Sequence, residues 1–155
     1  QRPNNGQFMT LTQVPGARLR TDQMRAYAGL VRDYARGVAD ITTRQSLQMH
    51  WLTIDMMPDI FARLDAVGLT TAGACGDIPR NFTSSPTAGF DPQELVDARP
   101  VLDALHNFYI LNKDFSNMPR KYKICVEGSP VQSTLFHIKD VALVAPRRPC
   151  AVVVG

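Results

Sequence analysis

The chain has 155 residues, of which 45% are apolar and 20% are charged, values that are ordinary for a globular fold. Its net charge of +3, with basic residues dispersed among acidic ones, is too small to predict nucleic-acid binding. No apolar run approaches the roughly 18 residues of a membrane-spanning helix, and the polar residues 1–6 lack an apolar signal core. We therefore expect neither membrane insertion nor export.

The three cysteines, Cys75, Cys125 and Cys150, are widely separated and form no C-x-x-C pair. This spacing fits neither a zinc site nor a disulfide framework, so we assign no metal-ligating residue and expect reduced thiols. Reduced thiols without an export signal predict a cytoplasmic protein.

The first elements are predicted from turn and cap residues around a periodic apolar pattern. Residues 8–14 are a strand candidate, closed by the turn signal Pro-Gly at residues 15–16. Apolar residues then recur at helical spacing between Thr21, a suitable cap, and Gly37, which favours a left-handed helix end. A strand followed by a helix is therefore expected.

A hairpin and a second helix are predicted next. Residues 40–43 and 47–54 are β-branched or alternating segments separated by a few polar residues. Pro58 suits the first position of a helix that Gly68 ends. The order strand, helix, strand, strand, helix predicts most of a ferredoxin-like α+β unit, which we place at residues 6–72.

The second half of the chain has a different character. Gly, Pro, Ser, Thr and Asn predominate in residues 73–91, which predicts an ordered functional loop. Asp91 as a cap, Pro92 at the first position and Glu94 predict a third helix with a capping box, bent or broken near Pro100. Strands are predicted at residues 124–126, 141–144 and 151–154.

Basic residues recur in three segments, at residues 42–51, 75–81 and 119–123. A site for a polycarboxylate cofactor and a small oxyanion needs several cations that converge from different parts of the chain. Arginine supplies planar two-point contacts to such groups, and lysine supplies a mobile point charge. The three segments together favour a site of this kind.

The same residues, taken singly, also fit ordinary structural roles. Arg44 fits a strand-end ion pair with Asp40. His50 fits a half-buried histidine whose hydrogen bonds are satisfied. The lysines at 121 and 123 fit a solvated strand face, and Cys75 fits a small buried residue. On the residues alone these interpretations stay open.

Seven short motifs stand in order at residues 39–45, 48–51, 68–71, 74–77, 79–81, 85–89 and 118–123. Together they resemble the nitrite and sulfite reductases that use sirohaem and a 4Fe-4S cluster, and the resemblance runs from Phe8 to Val154. It implies an α+β fold in which a ferredoxin-like half-domain is followed by the beginning of an α+β sirohaem-binding domain, here truncated and placed at residues 73–155.

The resemblance assigns cofactor-binding roles to matched positions. It implies that Arg44, Gln48 and His50 line the sirohaem pocket and that Asn81 supports it. Because sirohaem carries many carboxylates, several cations are needed to offset the burial of that charge.

The resemblance also assigns catalytic roles. It implies that Arg80, Lys121 and Lys123 surround the face of the iron at which sulfite or nitrite binds. Cations at this place stabilise the anion and relay protons, while the cofactor carries the redox chemistry. Two lysines in this segment favour sulfite, because the nitrite enzymes of the family often lack the second.

Two positions depart from the family pattern. An arginine usual on the first strand is replaced by Leu11, so one oxyanion contact is missing. The four cysteines that hold the 4Fe-4S cluster in the family have no counterpart here, and we expect the chain alone not to bind the cluster.

The resemblance implies the N-terminal part of a six-electron reductase of sulfite to sulfide or of nitrite to ammonia. Its implied partners are the C-terminal half of the reductase and an electron donor such as ferredoxin or a flavoprotein, and the isolated chain is expected to be inactive. Two alternatives remain: a noncatalytic half-reductase that binds a tetrapyrrole or a partner protein, and a relative in cobalamin biosynthesis that acts on a tetrapyrrole.

Overall fold

The computed structural model describes residues 6–131 and 133–145, together with the backbone of residues 151–154. It contains a three-stranded and a four-stranded sheet, and helices pack against them, so the α+β prediction is confirmed. The predictions that concern residues 1–5 and Cys150 lie outside the described residues. Across the described ranges, every helix is too short or too polar to cross a bilayer.

The first sheet is antiparallel and has the strand order β1-β3-β2. Strands β2 and β3 form the predicted hairpin, in which Asp40 pairs with Gln48. Strand β1 is shorter than predicted, because the segment after Thr12 leaves the sheet toward a 3-10 turn at Pro15–Ala17. The strands are β1, Phe8–Thr12; β2, Ala39–Ile41; and β3, Leu47–Leu52.

Two helices, α1 (Thr21–Tyr34) and α2 (Met57–Asp65), bury their apolar stripes with one face of this sheet. Helix α1 begins one residue earlier than the predicted cap Thr21 implies: Arg20 holds the cap position, and its backbone N–H donates to the side chain of Gln23. The helix ends as predicted, with Gly37 at φ 77° donating its N–H to the carbonyl of Val31. The core contains Tyr27, Leu30, Met49, Leu52, Ile60 and Leu64.

The second sheet has the strand order β4-β5-β6-β7. The pairs β4–β5 and β5–β6 are parallel, and β6–β7 is antiparallel. Strand β4 lies within the segment predicted as a loop, which is therefore partly paired into the sheet. The strands are β4, Thr83–Ser84; β5, Ile124–Glu127; β6, Val141–Val144; and β7, Ala151–Val154.

Helix α3 spans Ala98–Tyr109 and covers this second sheet with Leu102. The predicted start at residue 91 is wrong, because Asp91 accepts from the N–H of Gln93 in a local turn. Asp97 is the cap and accepts from the N–H of Arg99. Residue 100 lies in the first turn, where a proline needs no backbone donor, so the helix is not broken there.

Candidate functional site

The buried side chain of Asn81 joins the two sheets of the protein. Its Oδ1 accepts from the N–H of Val14 at 3.0 Å, and its Nδ2 donates to the carbonyls of Val14 and Arg44, both at 2.9 Å, and of Gln45 at 3.1 Å. Only 2% of Asn81 is exposed. One amide therefore fixes the end of β1 and the β2–β3 turn against the start of the second sheet.

Gln45 makes a second connection between the sheets. Its side chain donates to the carbonyl of Ser84 at 2.7 Å and accepts from the N–H of the same residue at 3.0 Å. These two bonds satisfy the outer edge of strand β4 much as a neighbouring strand does. Next to them, the N–H of Gly16 donates to the carbonyl of Phe82 at 3.0 Å. The junction is thus a hydrogen-bonded seam.

The β2–β3 turn places Arg44 at this seam. The hydroxyl of Thr42 accepts from the N–H groups of Arg44 and Ser46, and Gln45 takes a left-handed conformation with φ 58°. The guanidinium of Arg44 donates to the carbonyl of Asn81 at 3.3 Å. Because the turn is held on both sides, the half-buried Arg44 has little freedom to leave the seam.

A cavity of about 500 Å³ opens beside the seam, and its walls come from both halves of the chain. Its size lies in the range of small-molecule sites, roughly 300–1,000 Å³. Three half-buried cations line it: Arg44 from the β2–β3 turn, Lys123 from the residue before β5, and Lys139 from the residues before β6. None of the three is ion-paired with a carboxylate in the described part of the chain.

The pKa directions show that these cations share one environment. Burial lowers the pKa of the Arg44 guanidinium, and the charge of Arg80 lowers it further, while Asp140 acts in the opposite direction. Burial also lowers the pKa of the Lys139 amine, and the charges of Arg44 and Lys123 add to this effect. The cavity therefore concentrates positive charge in a partly desolvated place.

Arg80 lies behind this group of cations. Its N–H donates to the carbonyl of Tyr122 at 2.9 Å, and its Nη1 donates to the carbonyl of Ala74 at 3.0 Å. Its Nε is buried and has no hydrogen-bond partner among the described residues. A buried N–H without an acceptor is costly and suits a site that receives an anion.

Gln48 and His50 lie on the face of the first sheet that α1 and α2 leave uncovered. Their neighbours Leu47 and Met49 are buried on the helix side, and alternation turns residues 48 and 50 the other way. Leu11 lies opposite Gln48 in the register of β1 and β3. Nε2 of His50 lies 2.9 Å from a carboxylate oxygen of Asp40. The sequence also allowed an ion pair between Asp40 and Arg44. This pair is absent among the described residues, because Asp40 pairs with His50 instead.

The two lysines of the third basic segment differ in position. Lys121 is exposed and has a positive φ of 63°, whereas Lys123 is half-buried and lines the cavity. The backbone N–H of Lys123 donates to a carboxylate oxygen of Asp140 at 2.7 Å. The structure thus brings Arg44, Arg80 and Lys123 together and leaves Lys121 outside the cavity wall.

Lys139 is a cavity residue that the sequence reasoning missed. It lies outside the seven motifs, and a single lysine between a 3-10 turn and a strand carries no recognisable pattern. Its proximity to Arg44 depends on the pairing of β5 with β6, which no local signal fixes. Its position two residues before the apolar strand β6 is the sequence feature that distinguishes it.

The described residues contain no group of three or more His, Cys, Asp or Glu side chains placed to hold a metal ion. Cys75 is exposed and Cys125 is buried, and neither forms a disulfide among the described residues, while their reduced state stays a prediction. The alternative of Cys75 as a small buried residue is wrong.

The chain thus forms two α+β units that meet at a hydrogen-bonded seam, with a cavity lined by cations beside it. Comparison with known proteins identifies the family. Residues 1–67 match the nitrite/sulfite reductase ferredoxin-like half domain, and residues 75–155 match the nitrite and sulphite reductase 4Fe-4S domain. The chain belongs to the nitrite and sulfite reductase family, as its motifs indicated, and this family implies sirohaem and a 4Fe-4S cluster as cofactors.

Some relatives are named sulfite reductases and others nitrite reductases. Sulfite reductase [ferredoxin] 2 of Mycolicibacterium paratuberculosis is 37% identical over 142 residues, which cover 92% of this chain and 25% of the relative. The assimilatory ferredoxin-dependent nitrite reductase of Haloferax mediterranei is 39% identical over 151 residues, which cover 91% of this chain and 26% of the relative. The chain therefore spans about a quarter of the length of these relatives.

Solved structures agree with this assignment. The Mycobacterium tuberculosis NirA protein superposes with a TM-score of 0.86 at 35% identity, over 94% of this chain and 27% of that chain. Dissimilatory sulfite reductase I superposes with a TM-score of 0.74 at 15% identity, over 89% of this chain and 32% of that chain, and shares the fold. The ferredoxin-like half-domain predicted from the element order is confirmed.

Proposed function

We propose that this chain is the N-terminal part of a cytoplasmic, sirohaem-dependent reductase that converts sulfite to sulfide or nitrite to ammonia with six electrons. Its ferredoxin-like half-domain spans residues 6–72, and residues 73–155 begin the sirohaem-binding domain. Ferredoxin or a flavoprotein supplies the electrons, and the C-terminal half of the reductase completes the site. The observation that carries the proposal is the cavity at the seam, lined by cations that form no ion pair with a carboxylate of the described residues.

The residues present fit a cofactor rich in carboxylates. Arg44, Lys123 and Lys139 share the cavity, Arg80 lies behind them, and Asp140 is the carboxylate that acts on Arg44. Like charges held close together in a partly desolvated place repel one another, and a bound polyanion relieves that repulsion. The donor set therefore suits sirohaem better than a neutral ligand.

The chain's own residues bind and orient the cofactor. Arg44 offers its guanidinium to a carboxylate, and the turn that holds Arg44 limits how far it moves. Gln48 and His50 present polar groups from the uncovered sheet face, and His50 is oriented by Asp40. Asn81 acts through the backbone of Arg44 and Gln45, so it is a positioning residue. Sirohaem, when bound, supplies the electron transfer to the substrate.

Arg80, Lys121 and Lys123 serve the substrate side of the site. The Nε of Arg80, which has no hydrogen-bond partner among the described residues, is the donor that we assign to the oxyanion. Lys123 places an ammonium at the cavity and can hold or deliver a proton as oxygen atoms leave the substrate. Lys121 is exposed in this chain, and its proposed role requires the C-terminal half to enclose it.

A noncatalytic tetrapyrrole-binding role is the second candidate. It is favoured by Leu11, an apolar residue that lies opposite Gln48 where the family pattern has an arginine. A neutral side chain there weakens the field that would hold an oxyanion, while Arg44 and the other cavity cations remain available to a carboxylate-bearing ring.

Replacement of Arg80 by alanine in the intact protein tests the catalytic assignment. We expect sulfite and nitrite affinity, measured by the change of the sirohaem absorption spectrum on titration, to fall about ten-fold or more. Sirohaem content per chain should change less, because Arg80 is assigned to the substrate. Arg25→Ala removes an exposed arginine of α1 outside the cavity and should leave both quantities unchanged.

The opposite pattern contradicts this assignment. If Arg80→Ala lowers sirohaem content while the remaining holoprotein binds the anion with its original affinity, Arg80 belongs to the cofactor and not to the substrate. Binding of both anions without any turnover in the parent protein would favour the noncatalytic candidate.

A further inference from the structure

Lys139 is held next to Lys123 by the backbone of the second sheet. The N–H of Asp140 donates to the carbonyl of Lys123 at 3.1 Å, and the N–H of Lys123 donates to the carboxylate of Asp140 at 2.7 Å. The N–H of Lys139 itself donates to the carbonyl of Phe136 at 3.1 Å, which closes the preceding 3-10 turn. These bonds fix the backbone position of Lys139.

The connection between β5 and β6, which supplies part of the cavity wall, is also fixed. The carboxylate of Glu127 is fully buried and accepts from the N–H groups of Ser129 and Thr134 and from the hydroxyl of Ser133. These bonds hold the connection between β5 and β6, from which Ser133 and Thr134 line the cavity with Lys139. The cavity that contains Lys139 is therefore a built feature of the fold.

The charge balance at this place is unfavourable without a ligand. The carboxylate of Asp140 already accepts from the backbone of Lys123, and the ion pairs found among the described residues do not include Lys139. Lys139 is half-buried and feels the charges of Arg44 and Lys123. An ordinary solvated lysine would extend away from other cations into water, where its charge is better hydrated.

We propose that Lys139 is a cofactor-binding cation of this cavity beside Arg44, and that it binds a peripheral carboxylate of the tetrapyrrole ring between Arg44 and Lys123. This inference rests on the proposed function, because it takes a carboxylate-bearing tetrapyrrole as the ligand. It adds a residue from outside the family motifs to the cofactor site. Lys139 binds the ring and takes no part in reduction of the substrate.

The test uses the intact protein, produced without cofactor, and the iron-free ring sirohydrochlorin as a fluorescent probe. Lys139→Met removes the charge and keeps most of the length of the side chain, and we expect the Kd for sirohydrochlorin to rise about ten-fold. Lys139→Arg restores the cation and should recover most of the affinity. Lys113→Met removes an exposed lysine outside the cavity and should leave the Kd unchanged.

The salt dependence of binding separates a direct contact from a structural effect. Loss of one contact between a lysine and a carboxylate should flatten the dependence of the Kd on salt concentration for Lys139→Met, because fewer screened charges remain. A Lys139→Met protein with weaker binding but the salt dependence of the parent would overturn the proposal, since the side chain would then act only through the fold.

The same experiment distinguishes failure of the Lys139 proposal from failure of the proposed function. If Arg44→Met weakens binding of sirohydrochlorin and Lys139→Met does not, the proposal for Lys139 is wrong and the proposed function stands. If the parent protein itself does not bind sirohydrochlorin, both are wrong. A Lys139→Met protein that binds the ring normally but binds sulfite more weakly would also overturn the proposal and assign Lys139 to the substrate.

Discussion

Asn81 shows how a single side chain can set the geometry of a site without touching a ligand. All of its amide hydrogen bonds go to backbone groups, at the end of β1 and in the β2–β3 turn. These groups belong to segments that are 36 to 67 residues away along the chain. Asn81 therefore determines where Arg44 lies relative to the second sheet.

Asn81→Ala should destabilise the protein by about 2–4 kcal/mol, because it leaves buried backbone groups without partners. Urea unfolding of the parent and the variant measures the difference. Asn117→Ala removes an exposed asparagine whose side chain has no hydrogen bond to the described residues, and it should change the free energy of unfolding by less than about 0.5 kcal/mol. Equal effects of the two substitutions would contradict the role given to Asn81.

The sequence singled out basic residues more readily than it indicated their contacts. Arg44, Arg80 and Lys123 were singled out, and the structure brings them together. Asn81 was expected to support the pocket, but its bonds to the β2–β3 turn could not be foreseen, because they depend on how the two sheets meet. Lys139 was not foreseen at all, since strand pairing alone places it at the cavity.

Among the secondary-structure elements, helix α3 depends on its cap residue. The carboxylate of Asp97 accepts from the backbone N–H of Arg99 at 3.0 Å and from its guanidinium at 2.9 and 2.8 Å. The guanidinium is the main cause that lowers the pKa of Asp97 to about 2, and the backbone bond adds to it. The ionised carboxylate is thus the form that the folded helix prefers.

This low pKa predicts how stability depends on pH. Because the folded pKa of Asp97 lies below the unfolded value of about 3.9, its contribution is complete above that value and disappears as the pH falls toward about 2. The free-energy difference between the parent and Asp97→Asn should therefore shrink between about pH 4 and pH 2. Unfolding of both proteins by urea, followed by circular dichroism across this range, measures it.

Arg99→Gln is the matched control for Asp97. It removes the guanidinium and keeps the backbone bond, so the pKa of the Asp97 carboxyl should rise toward its usual range. Direct titration of the Asp97 carboxyl by nuclear magnetic resonance, in the parent protein and in Arg99→Gln, checks both pKa values. A carboxyl that titrates near 3.9 in the parent protein would show that the bonds to Arg99 do not persist in solution.

The start of α3 also shows why some elements were misplaced from sequence. Asp91, Pro92 and Glu94 match a helix start, but the N–H groups of Leu95 and Val96 donate to the carbonyl of Gly128, directly after β5. The carboxylate of Glu94 accepts from the N–H of Gly89 at 2.7 Å. Tertiary hydrogen bonds therefore displaced the helix start, and a local pattern carries no information about them.

At the scale of the whole molecule, two units with separate apolar cores meet at a polar seam. The apolar periodicity of α1 and α2 and the hairpin pattern predicted the first unit well. The second unit was harder to predict, because its parallel strands are short and pair across long connections. The seam joins the units through Asn81 and Gln45, and the cavity for the proposed cofactor lies beside it.

The most direct test of the central claim is the absorption spectrum of the intact protein purified from its native source, together with its iron and tetrapyrrole content. The account predicts a sirohaem spectrum that changes when sulfite or nitrite is added, because the cations at the seam hold the cofactor's carboxylates and the substrate. A protein that lacks tetrapyrrole as isolated and fails to bind added sirohaem would contradict the account.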